Sequence, residues 1–484
     1  MSDAVAALRT ALAPRAGLRR IPLSLETYQH PSTQLSSKLL LNMFAEQQPA
    51  DARTAAALIP TPGYELFMTV GTGPIHAISD DQPGVIYVIS GTHLWMLSRI
   101  DGVWTAADLG DVGTPSGGFD PDYLFYTIAV GPTAVVVCSP PNAYVSTNGG
   151  PVALITTTWP SYGASSVTYL DGYFVFTGQG DPHFFFISEL LDPTSVDALD
   201  FAALDAFPNA IFRVMTLGSD LWFAGAAGWE IWYNAGNPDF PFRRRPNGLL
   251  QRPVGSGKSI AKGDESLFWW SADGRVYRTV GYQEERISTH AIEATLPGDI
   301  NSAYVQNHLG HIFYVLNLAN LSLVYDVATK VWHTQSSAMN GYGPWRGTCA
   351  TANIANLPLI GDGGAGRLIR PNPDLSTDMG VAVQRQVVLP PLYDVGKRVF
   401  CARLEIEMEV GSAMTPEAVI LQWSDDGGVA FTGSRLMSVS LSGQTRRRVY
   451  TTRLGSFRNR VFRLTSQHAM TVYAIDADLT EGGH

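Results

Sequence analysis

The 484 residues are 45% hydrophobic and only 16% charged, which supplies a sizeable core and excludes a chain dominated by disorder. A formal net charge of −10 excludes a protein that clamps nucleic acid through a general basic surface, though not one that DNA only passes. No stretch approaches ~18 consecutive apolar residues, so no membrane insertion is expected.

Residues 1–62 do not share the hairpin repeat that begins at residue 63. Ser2 or Asp3 is placed to cap a short Ala-rich helix that Pro14 stops. A basic cluster of Arg15, Arg19 and Arg20 comes next, and no secretory h-region is present, so a soluble protein made in a cytoplasm is expected. The run LLLNMFAEQQP at 39–49 is too apolar to leave in water. The first 62 residues are therefore read as an extended arm packed on the main domain or on a neighbouring subunit.

From 63 to 379 one hairpin pattern recurs, clearest in DLWFAGAAGWEIWY at 220–233. Aromatic and β-branched residues bounded by glycine give two strands and a turn. Copies lie at 91–98, 172–188, 265–279, 310–326 and 357–370, with a weaker one at 134–146. Their spacing of roughly 40–50 residues is that of four-stranded propeller blades, and about seven fit. TPGYELF at 61–67 reads as a turn leading into the first blade, and the acidic loop at 189–208 as a connection holding one short helix.

Residues 380–484 change to clean period-two alternation, as in VFCARLEIEMEV at 399–410 and MTVYAIDADL at 470–479. One apolar and one charged face argue for an antiparallel β-sandwich. Twelve Lys/Arg against ten Asp/Glu from 381 onward give this part +2 and leave the remainder at −12. The expected fold is thus all-β: an arm, a β-propeller of about seven blades, and a C-terminal sandwich.

Chemical motifs are weak. VGSGKS at 254–259 has Arg252 where a phosphate-binding loop needs glycine, and a strand pattern comes after it. GDGGAG at 361–366 opens no helix and reads as a hairpin turn. SDDGGVAF at 424–431 has the spacing of an Asp-box turn, in which side chains bond local backbone. Asp-box turns occur in sialidases, which are also propellers, so a glycan-binding or glycan-cleaving propeller is the alternative reading. FRRRP at 242–246 supplies arginines, but neighbours on a strand point to opposite faces and do not converge. The ten histidines form no H-x-H or H-x-x-x-H pair, and no nucleophile elbow is present. Cys138, Cys349 and Cys401 are odd in number and far apart, which fits buried free thiols. No catalytic, cofactor or metal residue is assigned. The basic zone of Arg446, Arg447, Arg448, Arg453, Arg458, Arg460 and Arg463 reads either as solvated strand faces or as a contact surface for an acidic partner or a DNA backbone.

Three stretches carry a family resemblance: LLNMFAEQQP with IPTPGYELF at 40–67; RVMTLGSDLWFAGAAGWEIWYNAGNPDFPFRR at 213–244; and LQWSDDGGVAF with RRRVYTTRLGSFRNRVFRLTSQHAMTVYAIDADL at 421–479. They resemble the packaged-DNA stabilisation proteins of tailed phages, the tail-nozzle or tail-hub accessory factors of short-tailed phages. The resemblance implies a non-enzymatic virion tail protein, made in the host cytoplasm, with no cofactor. It implies a sixfold homo-oligomeric ring below the portal and its adaptor, closed by a plug or needle and bearing fibres or spikes, through which genomic dsDNA passes without tight binding. Under that reading Arg15, Arg19 and Arg20 of the arm and Arg446, Arg447, Arg448, Arg458 and Arg460 of the sandwich are the candidate subunit and adaptor contacts. The lumen-facing side of the propeller is expected to be acidic, because attraction to phosphate would hold the genome in place.

Overall fold

Alternation along the hairpin at 220–233 shows how the propeller is built. In the computed structural model all six residues of Asp220–Gly225 are buried, because both faces of the strand meet a neighbour. Leu221 and Phe223 pack with Phe185 and Ile187 of the preceding blade. Trp222 and Ala224 pack with Leu267 and Trp269 of the following one. The rings of Trp229 and Trp269 meet edge to face at 5.1 Å between those blades, and burying each such side chain is worth about 1.5–3 kcal/mol. A lone blade would leave both faces in water; stacking in a ring removes them.

The described residues are 17–481, less the segments 50, 52–53, 118–123, 157–158, 162, 180–182, 198–199, 208–209, 297–298, 352–357, 395–396, 411–417 and 440–445. The expected N-terminal helix and Arg15 lie outside them.

Six blades are contiguous four-stranded antiparallel meanders. Their inner strands are Ile75–Ser79, Thr127–Val130, Ala164–Leu170, Ile211–Leu217, Ala261–Gly263 and Ile300–His308, for blades 1 to 6 in that order. The ring is closed by a composite sheet. Gly347–Ala350 lies between the inner strands of blades 6 and 1, Ile360–Asp362 and Arg367–Asn372 follow it, and Gly63–Thr69 pairs antiparallel with Arg367–Asn372. This corrects the expectation of about seven contiguous units. The stretch read as leading into the first blade is instead the fourth strand of the closing sheet, so the two ends of the propeller chain are joined by backbone hydrogen bonds. The short helix expected in the acidic loop is also corrected: Phe201–Ala203 is the outer strand of blade 3.

The sandwich has two sheets. One runs Met43–Gln47, Ala56–Pro60, Met470–Glu481, Val399–Val410, Arg446–Thr452, with Leu18–Ile21 added on Met470–Glu481. The other runs Ser37–Leu41, Arg385–Val388, Asn459–Ser466, Ala418–Ser424, Gly433–Ser438. Four strands of the expected arm are therefore sandwich strands, and Leu40, Met43 and Leu58 sit in the same core as Leu404, Ile406, Phe462 and Ile475. Ser37–Leu41 also touches the outer strand of blade 6 in parallel, Leu41 opposite Thr334, so the second sheet is continuous with that blade.

Asn42 fixes this junction. It is 1% exposed and has φ +53°, a left-handed conformation that asparagine tolerates better than most residues. Its side-chain amide donates to the Ser336 (3.1 Å) and Gln384 (2.7 Å) carbonyls, and its Oδ1 accepts from the Ser336 N–H (2.9 Å). Its backbone carbonyl accepts from the Thr61 N–H at 3.0 Å. Beside it Arg385, 0% exposed, donates to the carbonyls of Ser376 (3.0 Å) and Thr61 (3.2 Å). Substituting Asn42→Ala leaves these buried groups unpaired and strains the backbone, so chemical denaturation is expected to show a loss of about 3–5 kcal/mol. Asn42→Gly keeps the backbone relaxed and is expected to recover roughly 1 kcal/mol of that loss.

Candidate assembly surface and axial cavity

On the outer face of the first sandwich sheet the charges are arranged as a ladder. Residues 404, 406 and 408 of the strand Val399–Val410 enter the core, so 403, 405 and 407 face out. Arg403 bonds Glu405 at 2.9 Å and stacks on Tyr450 at 4.0 Å. Arg448, opposite Glu407 in register, lies 3.4 Å from Glu405 and 3.8 Å from Glu407. Arg20 pairs with Asp476 at 2.6 Å. The sheet thus pairs Arg20, Arg403 and Arg448 with its own carboxylates, and Arg20 and Arg448 share one face. Arg19 is exposed on the strand Leu18–Ile21. Arg446 and Arg447 continue the Arg448 strand, and their side chains lie outside the described residues.

The remaining arginines are elsewhere. Arg460 is 2% exposed, bonds both oxygens of Asp425 at 2.6 and 2.7 Å and the Leu454 carbonyl at 2.5 Å, and stacks on Phe457 at 4.5 Å. It is a structural ion pair that holds the Asp425 turn to the second sheet. Arg463 stacks on Phe431 at 3.9 Å. Arg458 is exposed.

The motifs resolve as local structure. In SDDGGVAF the Ser424 hydroxyl bonds Asp426 and accepts from the Gly428 N–H at 2.9 Å, while Asp426 Oδ1 accepts from the Val429 and Ala430 N–H groups at 3.0 Å. Gly427 and Gly428 have φ +79° and +95°, so a side chain at either would strain the turn. These bonds hold the Asp426 carboxyl below the usual carboxylate range, the Ser424 hydroxyl foremost. GDGGAG is the turn between Ile360–Asp362 and Arg367–Asn372, with Asp362 2.7 Å from Arg367. The FRRRP arginines lie on the outer strand of blade 4, where Arg245 pairs with Asp220 at 2.5 Å. Within VGSGKS, Gly257–Ser259 is a single 3-10 turn leading into blade 5, but its Lys258 side reaches the propeller axis.

That axis is a cavity of ≈ 260 Å³, lined by all the inner strands. It adjoins a mouth of ≈ 490 Å³ at the starts of the inner strands of blades 1, 2 and 6. Arg213 of blade 4 donates to the Ile260 carbonyl beside blade 5 at 3.2 Å, and its guanidinium lies 5.5 Å from the Phe125 ring beside blade 2. It therefore reaches across the cavity. Burial holds its pKa down to about 10. Lys258 and His76 line the same end; Asp80 and Asp81 lie at the far end of the blade 1 inner strand. Sequence reasoning missed Arg213, whose signal is a cation in an inner strand that is otherwise uncharged.

Residues 19–370 match the family model described as the β-propeller of bacteriophage P22 Gp10, and residues 384–480 match the one described as its β-sandwich. The chain belongs to this phage DNA-stabilisation family. Members are structural phage proteins, so a virion component that stabilises packaged DNA is the activity the family assigns. None of the curated proteins compared matches the chain. Among solved structures, the chain is similar to streptogramin B lyase (14% identity, TM-score 0.43, 64% of this chain and 98% of that one), the C-terminal WD40 domain of Sif2 (10%, 0.38, 64% and 99%) and PorZ of Porphyromonas gingivalis (11%, 0.38, 71% and 44%).

For this P22 Gp10 relative, two measurements separate structural from surface charge. Arg460→Ala removes the stack on Phe457 and leaves the buried Leu454 carbonyl without its partner, while the half-exposed Asp425 returns to water; it is expected to lower unfolding free energy by about 2 kcal/mol, and Arg458→Ala to change it by no more than ~0.5 kcal/mol. The second concerns His311 of blade 6, which bridges Asp326 (2.8 Å) and Glu46 of the arm (2.5 Å). The bond to Asp326, helped by Glu46, raises its pKa to about 9. A raised histidine pKa stabilises fully below the unfolded value of about 6.5 and loses that contribution as pH rises through the folded value. Stability is therefore expected to fall between pH ~6.5 and about 9, and His311→Gln to flatten that slope. Burial holds His308 and His333 down to about 4, so both stay neutral throughout.

Proposed function

We propose that this chain is the tail nozzle, or hub ring, of a short-tailed phage: a sixfold homo-oligomer below the portal and its adaptor that retains packaged dsDNA and forms the channel for its ejection. The observation that carries the reading is the match to both P22 Gp10 models, propeller and sandwich, in order and over nearly the whole chain. Three features of the fold support it. The arm, the propeller and the sandwich share sheets and cores, as suits a part that bears load from a pressurised genome. The net charge of −10 suits a lumen that repels phosphate rather than binding it. The propeller's own cavity of ≈ 260 Å³ is far too small for a duplex whose major groove alone is about 12 Å wide. In this reading DNA runs through the centre of the ring of subunits and not through any one propeller.

Contacts to the adaptor, to a plug or needle and to fibres or spikes fall to surfaces such as the exposed Arg19 and Arg458. The glycan reading is less supported: the clustered arginines at 243–245 sit on an outer strand, away from the axis where propeller active sites converge. Cryo-electron microscopy of the protein with the portal and adaptor of the same phage tests the proposal. The expected result is a sixfold ring stacked coaxially below the adaptor, with an acidic or neutral lumen. A propeller that remains alone, or a ring lined by lysine and arginine, would contradict it.

A further inference from the structure

We propose that the axial cavity of the propeller is a binding site for a compact oxyanion of the phosphate or small-carboxylate class, held by Arg213 and Lys258. Two cations from different blades line one cavity, and neither makes an ion pair with a carboxylate among the described residues. Among the described residues Arg213 has one hydrogen-bond acceptor, the Ile260 carbonyl, against the five N–H donors a guanidinium carries. Arg213 is one of the residues that line the cavity. Burial lowers its pKa; the side chain keeps some exposure, and no carboxylate among the described residues is paired with it. A partly desolvated cation without a paired carboxylate favours an anionic ligand beside it, and among the described residues no carboxylate is paired with Arg213 or Lys258.

The surroundings suit an oxyanion. Ser302 lines both the cavity and its mouth and already accepts from the Asn317 amide at 2.9 Å, which leaves its hydroxyl proton to donate. Asn301, exposed beside it, offers its amide. Lys262 adds a third positive charge to the lining. The acids Asp80 and Asp81 are four and five residues beyond His76 along the same strand, about 13 Å or more away at strand rise. The cavity is therefore polarised, and an anion is favoured at the Arg213 end. A guanidinium binds phosphate or carboxylate through two parallel bonds, while an ammonium adds a point charge. The volume of ≈ 260 Å³ holds a phosphate with its waters, and the mouth of ≈ 490 Å³ beside Phe125 and Tyr126 leaves room for an organic body.

Calorimetric titration of the full chain with inorganic phosphate, and separately with acetate at matched ionic strength, tests this. Saturable binding of phosphate at one site per chain is expected, weakened about tenfold or more by Lys258→Gln and by Arg213→Gln and unchanged by Arg458→Gln. Preference for phosphate over acetate assigns the site to phosphate ligands; equal or tighter acetate binding assigns it to carboxylates. Lys258→Gln carries the test if Arg213→Gln does not fold. No saturable binding of either anion up to roughly 10 mM, or binding that Lys258→Gln leaves unchanged, overturns the proposal.

Discussion

Asn42 sits where three segments far apart in sequence have to meet: the outer strand of blade 6, the linker after the closing sheet, and the chain that leads to Gly63–Thr69. Its amide and carbonyl groups bond to Ser336 and Gln384, and its backbone carbonyl holds Thr61. Asn42, Ser336 and Thr61 are buried, and a buried polar group left without a partner costs about 1–3 kcal/mol. The closing strand starts only two residues beyond Thr61, so the geometry at Asn42 also sets the register in which Gly63 faces Asn372. Closure of the propeller and attachment of the sandwich are therefore one problem with one solution.

A consequence is mechanical. A propeller joined to a sandwich by a single linker would swing, because contacts between domains are usually modest in area. Here Ser37–Leu41 belongs to the sandwich sheet and touches blade 6, while Phe44 packs with Tyr64, Phe313 and Trp345 in a core shared by blade 6 and the closing sheet. Glu46 adds a polar tie through His311 and Asp326. For a structural phage protein that stabilises packaged DNA, stiffness between the two halves is useful, since load placed on one is passed to the other. On the first sandwich sheet Arg20, Arg403 and Arg448 are each paired with a carboxylate of the same sheet, which weakens their pull on any charged partner.

What was legible in the sequence was local. The hairpin at 220–233 was readable because both its strands alternate between two neighbours and its turn is glycine-bounded; the structure pairs Asp220 with Tyr233. The Asp-box turn was readable because its bonds run between residues two to four apart. The sandwich announced itself through period-two strands such as Val399–Val410. What failed was partnership at long range. Gly63–Thr69 reads as a strand, but nothing in its pattern says that its partner is Arg367–Asn372, some three hundred residues on. The arm's apolar run showed that it packs, not that it completes two sheets. The acidic loop looked helical because spaced alanines and leucines match helix periodicity, yet Phe201–Ala203 finds an open blade edge, and tertiary pairing overrides weak local propensity. Arg213 and Arg460 show the same limit: one cation lines a cavity, the other is buried in an ion pair, and the sequence around them does not distinguish the two.

The weld between arm, propeller and sandwich is best tested by native-state hydrogen exchange. The amides of Ser37–Leu41 and of Asn42 are compared with those of Val331–Gln335 in blade 6. The two sets are expected to exchange equally slowly, in one cooperative opening, and Asn42→Ala to accelerate both together. Arm amides that exchange orders of magnitude faster than the blade, with the blade indifferent to Asn42→Ala, would show a detachable arm and contradict a weld.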